Sequence, residues 1–280
     1  MISIILVSYN SRGYLRNCLE KLAPQASAQR CELIVVDNAS TDGSAAMVRE
    51  EFPDCRLLGL EANVGFGAAN NRGAEVAAGK YLLLLNVDAW PGPGCLAHLA
   101  WVLDTDLSLG LVVPRLRYPD GRLQFAWAPE TGVVGEALQK LRNPLEPQSW
   151  NHRQLPAVLR LLLGPGWYTA ACMMVRKAAF DEIGGFDEKI FMYFEDVDLS
   201  RRMRLAGWKM QMVWGAQAFH VKGGSQPSDR TELEYRRGQL YYYRKHRPRW
   251  ENLYLRWRMR RKFGRVANPE RRRELLKLLD

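Results

Sequence analysis

Short apolar runs alternate with amphipathic stretches through the first third of the chain. Ser3-Ile4-Ile5-Leu6-Val7, Glu32-Leu33-Ile34-Val35-Val36 and Arg56 to Leu60 each have strand length. Tyr81-Leu82-Leu83-Leu84-Leu85, bounded by Gly79 and Pro91, reads as a strand buried on both faces. Between the runs, Leu15, Leu19 and Leu22 share one face of a helix predicted from about Gly13 to Leu22. The polar turn Asn38 to Ser44 caps a second helix, Ala45 to Glu51, and a third runs from Gly67 to about Ala78. Strand and helix in this rhythm predict a doubly wound, mostly parallel α/β sheet.

The rest of the pattern is less regular. Cys95 to Leu103 reads as a helix, Leu111-Val112-Val113 as a strand, and Tyr118-Pro119-Asp120-Gly121-Arg122-Leu123 as a hairpin turn. Asn143 to Gln154, rich in Pro and Asn, reads as a loop near the site. A strand is predicted over Tyr168 to Val175, a helix over Lys177 to Ile183 and another over Leu199 to Ala206. Met210 to Val213 is one more strand, and Phe219-His220 ends another.

Polar residues stand where the strands stop. Open α/β sheets bind ligands at the carboxyl ends of their strands. There the chain carries Ser8-Tyr9-Asn10, then Asp37, then Asn86-Val87-Asp88. An aspartate so placed can hold a hard divalent cation, and through it a diphosphate. Plainer readings stand beside this one: Tyr9 as packing, Asp37 as an Asx-turn residue, Asp88 as a cap before Pro91. Gly65-Phe66-Gly67 follows the third strand and lacks a third glycine, so it is not a dinucleotide fingerprint.

Charge changes the picture at one end. The 280 residues carry a formal +10, and Gln226 to Asp280 alone holds 17 Lys+Arg against 7 Asp+Glu. A neutral body over 1–225 therefore carries a basic, helical extension over 226–280. Tyr241-Tyr242-Tyr243-Arg244-Lys245-His246-Arg247 and Trp250 to Arg265 interleave aromatics with cations. That mixture suits an anionic membrane surface, and equally an amphipathic helix packed on the domain with its arginines solvated. Five scattered cysteines without metal-ligand spacing read as buried free thiols in a reducing cytosol. Ile2 to Val7 is too short for a signal-peptide core, and Leu161 to Val175, broken by Gly164-Pro165-Gly166, is too short for a bilayer span.

Three markers then stand together: Val7-Ser8-Tyr9-Asn10 with Asp37-Asn38-Ala39-Ser40, the Asn86-Val87-Asp88 strand end, and Phe191 to Ser200. In order and spacing they resemble the family 2 glycosyltransferases, inverting nucleotide-sugar enzymes of the GT-A fold. Within that family the chain is similar to the bacterial branch that builds rhamnose-containing cell-surface polysaccharides. The likeness spans roughly Met1 to Ser225. It implies that Val7 and Tyr9 contact the base, that Asp37 reads the base or its ribose, and that Asn63 and Asn71 flank the segment closing over the nucleoside. Asn86 and Asp88 match the metal-binding D-x-D-type motif, with Mg2+ or Mn2+ at Asp88. Trp167 and Thr169 fall where the family contacts sugars, and Asp196, beside Glu195, matches the catalytic base. Two departures stand out: the first carboxylate of the metal motif is Asn86, and Ala170-Ala171 replaces a Gly-Ala pair.

The resemblance implies transfer of a sugar from dTDP-rhamnose or a UDP-sugar to a hydroxyl of a cell-surface glycan or lipid-linked acceptor. Asp196 would take the acceptor proton, and Glu195 would position acceptor hydroxyls. Asp198 reads as a dipole-stabilising cap, with Arg201 and Arg202 free to pair with Glu195 or Asp198. His220, before Gly223-Gly224-Ser225, reads either as a third metal ligand or as a buried hydrogen-bonded histidine. The place of action is expected in the cytoplasm, at the inner face of the cell membrane, with no nucleic-acid partner. Two other classes are weighed against this. A sugar-phosphate nucleotidyltransferase would carry a Gly-rich basic loop after the first strand, which Ser8 to Gly13 is not. A nucleic-acid-binding module would use the basic tail.

Overall fold

The computed structural model describes residues 1–142, 166–221 and 229–279. The loop expected over Asn143 to Gln154 and the boundary expected at Ser225 lie outside the described residues.

The first half is the alternation that the apolar pattern predicts: β1 (Ile2–Ser8), α1 (Arg12–Ala28), β2 (Glu32–Asp37), α2 (Ser44–Glu51), β3 (Arg56–Gly59), α3 (Phe66–Val76) and β4 (Tyr81–Asn86). β1 pairs in parallel with β2 and β4, and β2 with β3. There follow β5 (Ala89–Pro91), α4 (Cys95–Thr105), β6 (Leu109–Arg117), β7 (Leu123–Gln124), β8 (Trp127–Pro129) and α5 (Val133–Arg142). Next come β9 (Gly166–Tyr168), β10 (Cys172–Arg176), α6 (Lys177–Glu182), α7 (Glu195–Leu205) and β11 (Lys209–His220). The chain closes with three helices, α8 (Asp229–His246), α9 (Arg249–Phe263) and α10 (Pro269–Lys277).

The main sheet runs β3-β2-β1-β4-β10-β6-β11-β5, with β7 on β6. β10 lies antiparallel between β4 and β6 and interrupts the parallel order, which resumes where β6 pairs in parallel with β11. The single strand expected over Tyr168 to Val175 is two: β9 pairs with β8 in a separate ribbon, and β10 enters the main sheet. The two short strands expected near Met210 and Phe219 are one, β11.

Two apolar cores result. The larger holds Ile4, Ile5, Leu6 and the Leu82–Leu85 run between the helices that flank the sheet. The smaller joins Ile190, Phe194 and Val197, around the start of α7, to Tyr242, Tyr243, Leu255, Met259 and Phe263 of α8 and α9. The basic extension is therefore packed on the body, and many of its cations are engaged. Arg258 meets Glu136 at 2.5 Å, Arg247 meets Glu251 at 2.6 Å, and Lys262 meets Glu232 at 3.2 Å. α9 is apolar on a second face as well. Trp250, Leu253, Tyr254 and Trp257, spaced to form one stripe, are 58, 68, 40 and 53% exposed. All five cysteines are free, and Cys18, Cys95 and Cys172 are buried. Among the described residues no helix is long and apolar enough to cross a membrane.

Candidate active site

The sheet order reverses direction between β1 and β4, and the crevice beyond their carboxyl ends is where an open α/β sheet receives a ligand. Register puts the polar strand ends side by side: Val7 opposite Asn86, and Ser8 opposite Asp37. Val7 is half-buried, and the Tyr9 ring is 44% exposed at the mouth. Asn10 and Ala39 take left-handed backbones, φ 47° and 64°, so that the two loops lock together. The Asn10 side chain accepts the Thr41 N–H at 2.8 Å, and its own N–H goes to Ser40 Oγ at 3.0 Å.

Asp37 uses one carboxylate oxygen and leaves the other unpaired among the described residues. Its Oδ2 accepts the Ser40 N–H at 3.2 Å, an Asx turn. Its Oδ1 is buried with no hydrogen-bond partner among the described residues. Asn38, which sequence reasoning passed over, organises the neighbouring loop. Its amide donates to Asn63 Oδ1 at 2.9 Å and to Gly65 O at 3.2 Å, and its Oδ1 accepts the Val64 N–H at 2.9 Å. Asn63 is thereby fixed against the loop after β2, its Oδ1 also taking the Gly65 N–H at 3.0 Å. Asn71 faces elsewhere: its amide group grips Phe186 at both ends, donating to the carbonyl at 3.0 Å and accepting the N–H at 2.8 Å.

Ala170 and Ala171 join the two halves of the site. The Asn86 N–H donates to Ala171 O at 3.1 Å, and the Ala170 N–H reaches the Asp196 carboxylate. Asp196 also accepts the Val197 N–H at 2.8 Å, at the first turn of α7. Just before it, Tyr193 and Phe194 have φ of 65° and 73°, consecutive left-handed residues with side chains. Such backbone costs about 1–3 kcal/mol per residue and persists only where the surroundings enforce it. Here the enforcement comes from both sides. The Phe66 N–H donates to Phe191 O at 3.0 Å, and Gly238 of α8 sits so close to Tyr193 O that a Cβ has no room.

Burial raises the pKa of both carboxyls at this turn. Desolvation is the largest cause for each, and the neighbouring Asp196 charge pushes Glu195 further. Glu195 Oε2 is buried without a partner among the described residues. Asp198, expected as a dipole cap, is instead wholly buried in an ion cluster. Arg202 Nε meets its Oδ2 at 2.6 Å, while Lys245 Nζ and His246 Nε2 meet its Oδ1 at 2.7 and 2.6 Å. Burial opposes ionisation there, but the His246 hydrogen bond, the Arg202 charge and Lys245 outweigh it and hold the carboxyl well below its usual range. Arg201 pairs with Glu130 rather than Glu195. Trp167 and Thr169 lie on and just after β9, with Trp167 half-buried against the smaller core. Nothing local in the sequence signals that α8 supplies Lys245 and His246.

Across the crevice, Asp88 and His220 come together. The Val221 N–H donates to Asp88 O at 3.0 Å, and Asp88 Oδ1 stands 3.3 Å from His220 Nε2. Gln124 Oε1 lies 2.7 Å from His220 Nδ1, which fixes the hydrogen on Nδ1. The His220 Nε2 and the Asp88 carboxylate therefore face the same small space. No cluster of three His, Cys, Asp or Glu side chains suited to a metal occurs among the described residues. The donor set nevertheless fits an ion completed by substrate phosphates, since Mg2+ is commonly bound through one or two carboxylates plus phosphate oxygens.

A family model described as Glycosyl transferase family 2 matches residues 3–184. The N-acetylglucosaminyl-diphospho-decaprenol L-rhamnosyltransferase of Mycobacterium tuberculosis is 28% identical over 276 residues, covering 93% of this chain and 89% of that protein. The O-antigen biosynthesis protein RfbC of Myxococcus xanthus is 27% identical over 238 residues, 81% of this chain and 18% of that protein. Among solved structures, a mannosyltransferase of Pyrobaculum calidifontis in complex with GDP-Man and Mn2+ superposes with a TM-score of 0.58 at 16% identity, covering 99% of this chain and 68% of that one. GalNAc-T7 with UDP, GalNAc and Mn2+ gives 0.64 at 14% identity, covering 99% of this chain and 54% of that one. These two likenesses show the fold, which is the GT-A fold expected from the sequence.

Proposed function

This chain belongs to glycosyl transferase family 2, and on that premise we propose that it is an inverting transferase of cell-surface polysaccharide synthesis. It moves a sugar from a nucleoside diphosphate, dTDP-rhamnose or a UDP-sugar, to a hydroxyl of a lipid-linked or other glycan acceptor. The observation that carries this reading is the junction at Ala170 and Ala171, which ties the Asn86 strand end to the Asp196 carboxylate. Donor and acceptor machinery thus share one piece of backbone.

The geometry supports the following roles. The exposed Tyr9 ring stacks on the base beside Val7, and the unpartnered Asp37 Oδ1 accepts a hydrogen from base or ribose. Asn63 borders the same crevice, Asn71 holds the segment behind it, and Trp167 and Thr169 border the sugars. The acceptor hydroxyl attacks the anomeric carbon from the face opposite the diphosphate. As the new C–O bond forms and the sugar–phosphate bond breaks, Asp196 takes the hydroxyl proton. Its raised pKa makes it a stronger base than an exposed aspartate. Glu195 positions acceptor hydroxyls beside it. Asp88 and His220 would hold a Mg2+ or Mn2+ ion, which supplies positive charge at the leaving diphosphate. The nitrogen ligand suits Mn2+ better than Mg2+. A panel of nucleotide sugars, scored by acceptor-dependent release of nucleoside diphosphate, tests the assignment; no turnover with any of them overturns it.

The metal site makes its own prediction. Asp88→Asn should weaken nucleoside-diphosphate binding by at least tenfold in the presence of Mn2+ and leave binding in chelator unchanged. Isothermal titration reads both. Full wild-type turnover after thorough chelation would remove the metal assignment and give Asp88 another role.

We further propose that the catalytic domain over 1–225 works at the cytoplasmic membrane face through the extension over 226–280. The exposed stripe on α9 is the contact, with its aromatics level with the headgroups and cations such as Arg249 and Arg261 beside them. Deleting the whole extension is a poor test, because α8 and α9 complete the smaller core. The exposed pair Trp250→Ser and Trp257→Ser leaves that core intact. Its binding to phosphatidylglycerol vesicles should fall about tenfold or more, as expected when two partly inserted aromatics are lost. Wild-type binding should weaken as salt rises. Equal vesicle binding by the variant would exclude the stripe.

A further inference from the structure

A cavity outside the candidate active site lies against the C-terminal helices. It has a volume of about 600 Å³ and lies between the segment preceding α7 and the helices α8 and α9. That volume is within the range of small-molecule sites. Its wall carries Lys189, Arg237, Arg244 and Arg256 against one carboxylate, Glu234. Glu234 is already neutralised by Arg237 at 2.6 Å. Arg256 gives one N–H to Leu279 O at 2.9 Å, and Arg244 lies 5.7 Å over the Tyr241 ring. Lys189 and Arg244 are exposed, and neither has a carboxylate partner within the described residues. A pocket with this surplus of positive charge favours an anion with several oxygens.

Its neighbours say which anion. On one side the wall is Phe191, whose carbonyl accepts the Phe66 N–H at 3.0 Å and packs on Gly65 of the nucleoside loop. Gly238, also in the wall, supports Tyr193 O, and Asp196 follows three residues after Tyr193. On the other side Asn252 and Arg256 line the cavity, each one position before Leu253 and Trp257 of the exposed stripe. At 100° per residue, the cavity opens along the flank of that stripe. A ligand held here thus has the Tyr193–Asp196 turn on one side of it and the apolar stripe on the other.

We propose that this cavity binds the diphosphate of a prenyl-diphosphate-linked acceptor, holding its lipid toward the α9 stripe and its sugar toward Asp196. The proposal rests on the transferase reading above, in which the acceptor is lipid-linked. Lys189 and Arg244 are its binding residues; both are free to turn inward, and neither belongs to the donor site.

Farnesyl diphosphate, a soluble prenyl diphosphate, is the probe, measured by titration calorimetry. Wild-type protein should bind it, inorganic pyrophosphate should compete, and the Lys189→Gln/Arg244→Gln double variant should bind at least tenfold more weakly. Lys189→Arg/Arg244→Lys, which keeps both charges, should restore most of the affinity. UDP and dTDP affinity and Tm should be the same in all three proteins. Unchanged farnesyl diphosphate affinity in the Gln variant, or none in the wild type, overturns the proposal. So does a loss confined to phosphatidylglycerol vesicles with farnesyl diphosphate affinity retained, since the cavity would then hold a headgroup. Failure of the transferase reading is separately visible: the wild type would bind farnesyl diphosphate at this cavity yet turn over no nucleotide sugar.

Discussion

Asp196→Asn should lower the transfer rate by about 10²–10⁴-fold while donor affinity stays within about twofold of wild type. The amide keeps the shape and the Ala170 and Val197 hydrogen bonds remain sterically possible, but it cannot take the acceptor proton. The loss therefore falls on kcat, because proton transfer occurs only as the bond forms. The pH profile gives a second readout. Burial raises the Asp196 pKa, so the carboxyl is protonated, and idle as a base, well above the ordinary aspartate range. Wild-type kcat should fall on the acid side of neutrality, and that limb should vanish in Asp196→Asn. Glu195→Gln is the control. It should act mainly through acceptor KM and hold or raise Tm at neutral pH, since it removes a carboxylate that burial disfavours. Near-normal transfer by Asp196→Asn with loss in Glu195→Gln would assign the base to the wrong one of the pair.

Asp198→Ala should destabilise the protein by about 3–5 kcal/mol, because Arg202, Lys245 and His246 converge on one buried carboxylate and lose it together. Urea unfolding at neutral pH measures this. The effect should shrink in acid. The Asp198 carboxyl is held below its usual range, so its contribution is complete above the unfolded-state pKa and is lost as pH falls through the folded one. The gap between the variant and the wild type should therefore begin to narrow below about pH 4 and close only as pH falls through the lowered folded-state value. The same cluster joins α7 to α8, so kcat should fall too in Asp198→Ala, with donor affinity largely kept. A variant as stable as wild type would mean that Lys245 and His246 are satisfied by solvent and hold nothing in place.

The apolar pattern dictates the parallel half of the sheet and puts polar residues at its carboxyl edge. Apolar runs of strand length alternating with Leu15-, Leu19- and Leu22-type faces leave little choice of fold, because burial in β1, β2 and β4 is a local periodicity. Polar residues that end buried strands must lie at the crevice, which is how Ser8, Asp37 and Asn86 could be assigned to one end of the sheet in advance, while their register came from strand pairing. The family motif added Asp196, since its order and spacing are legible along the chain. Long-range packing set the rest. It inserted β10 antiparallel beside β4, brought His220 to Asp88, and made Asp198 the anchor of α8 rather than a cap. It also divided α9 between a buried face, with Leu255 and Met259, and an exposed one, with Trp250 and Trp257. Each of these depends on which distant segments meet. A residue's own neighbours in sequence fix its periodicity and its turn, whereas the charge or apolar surface that it faces across the fold is set by packing, and no local pattern records it.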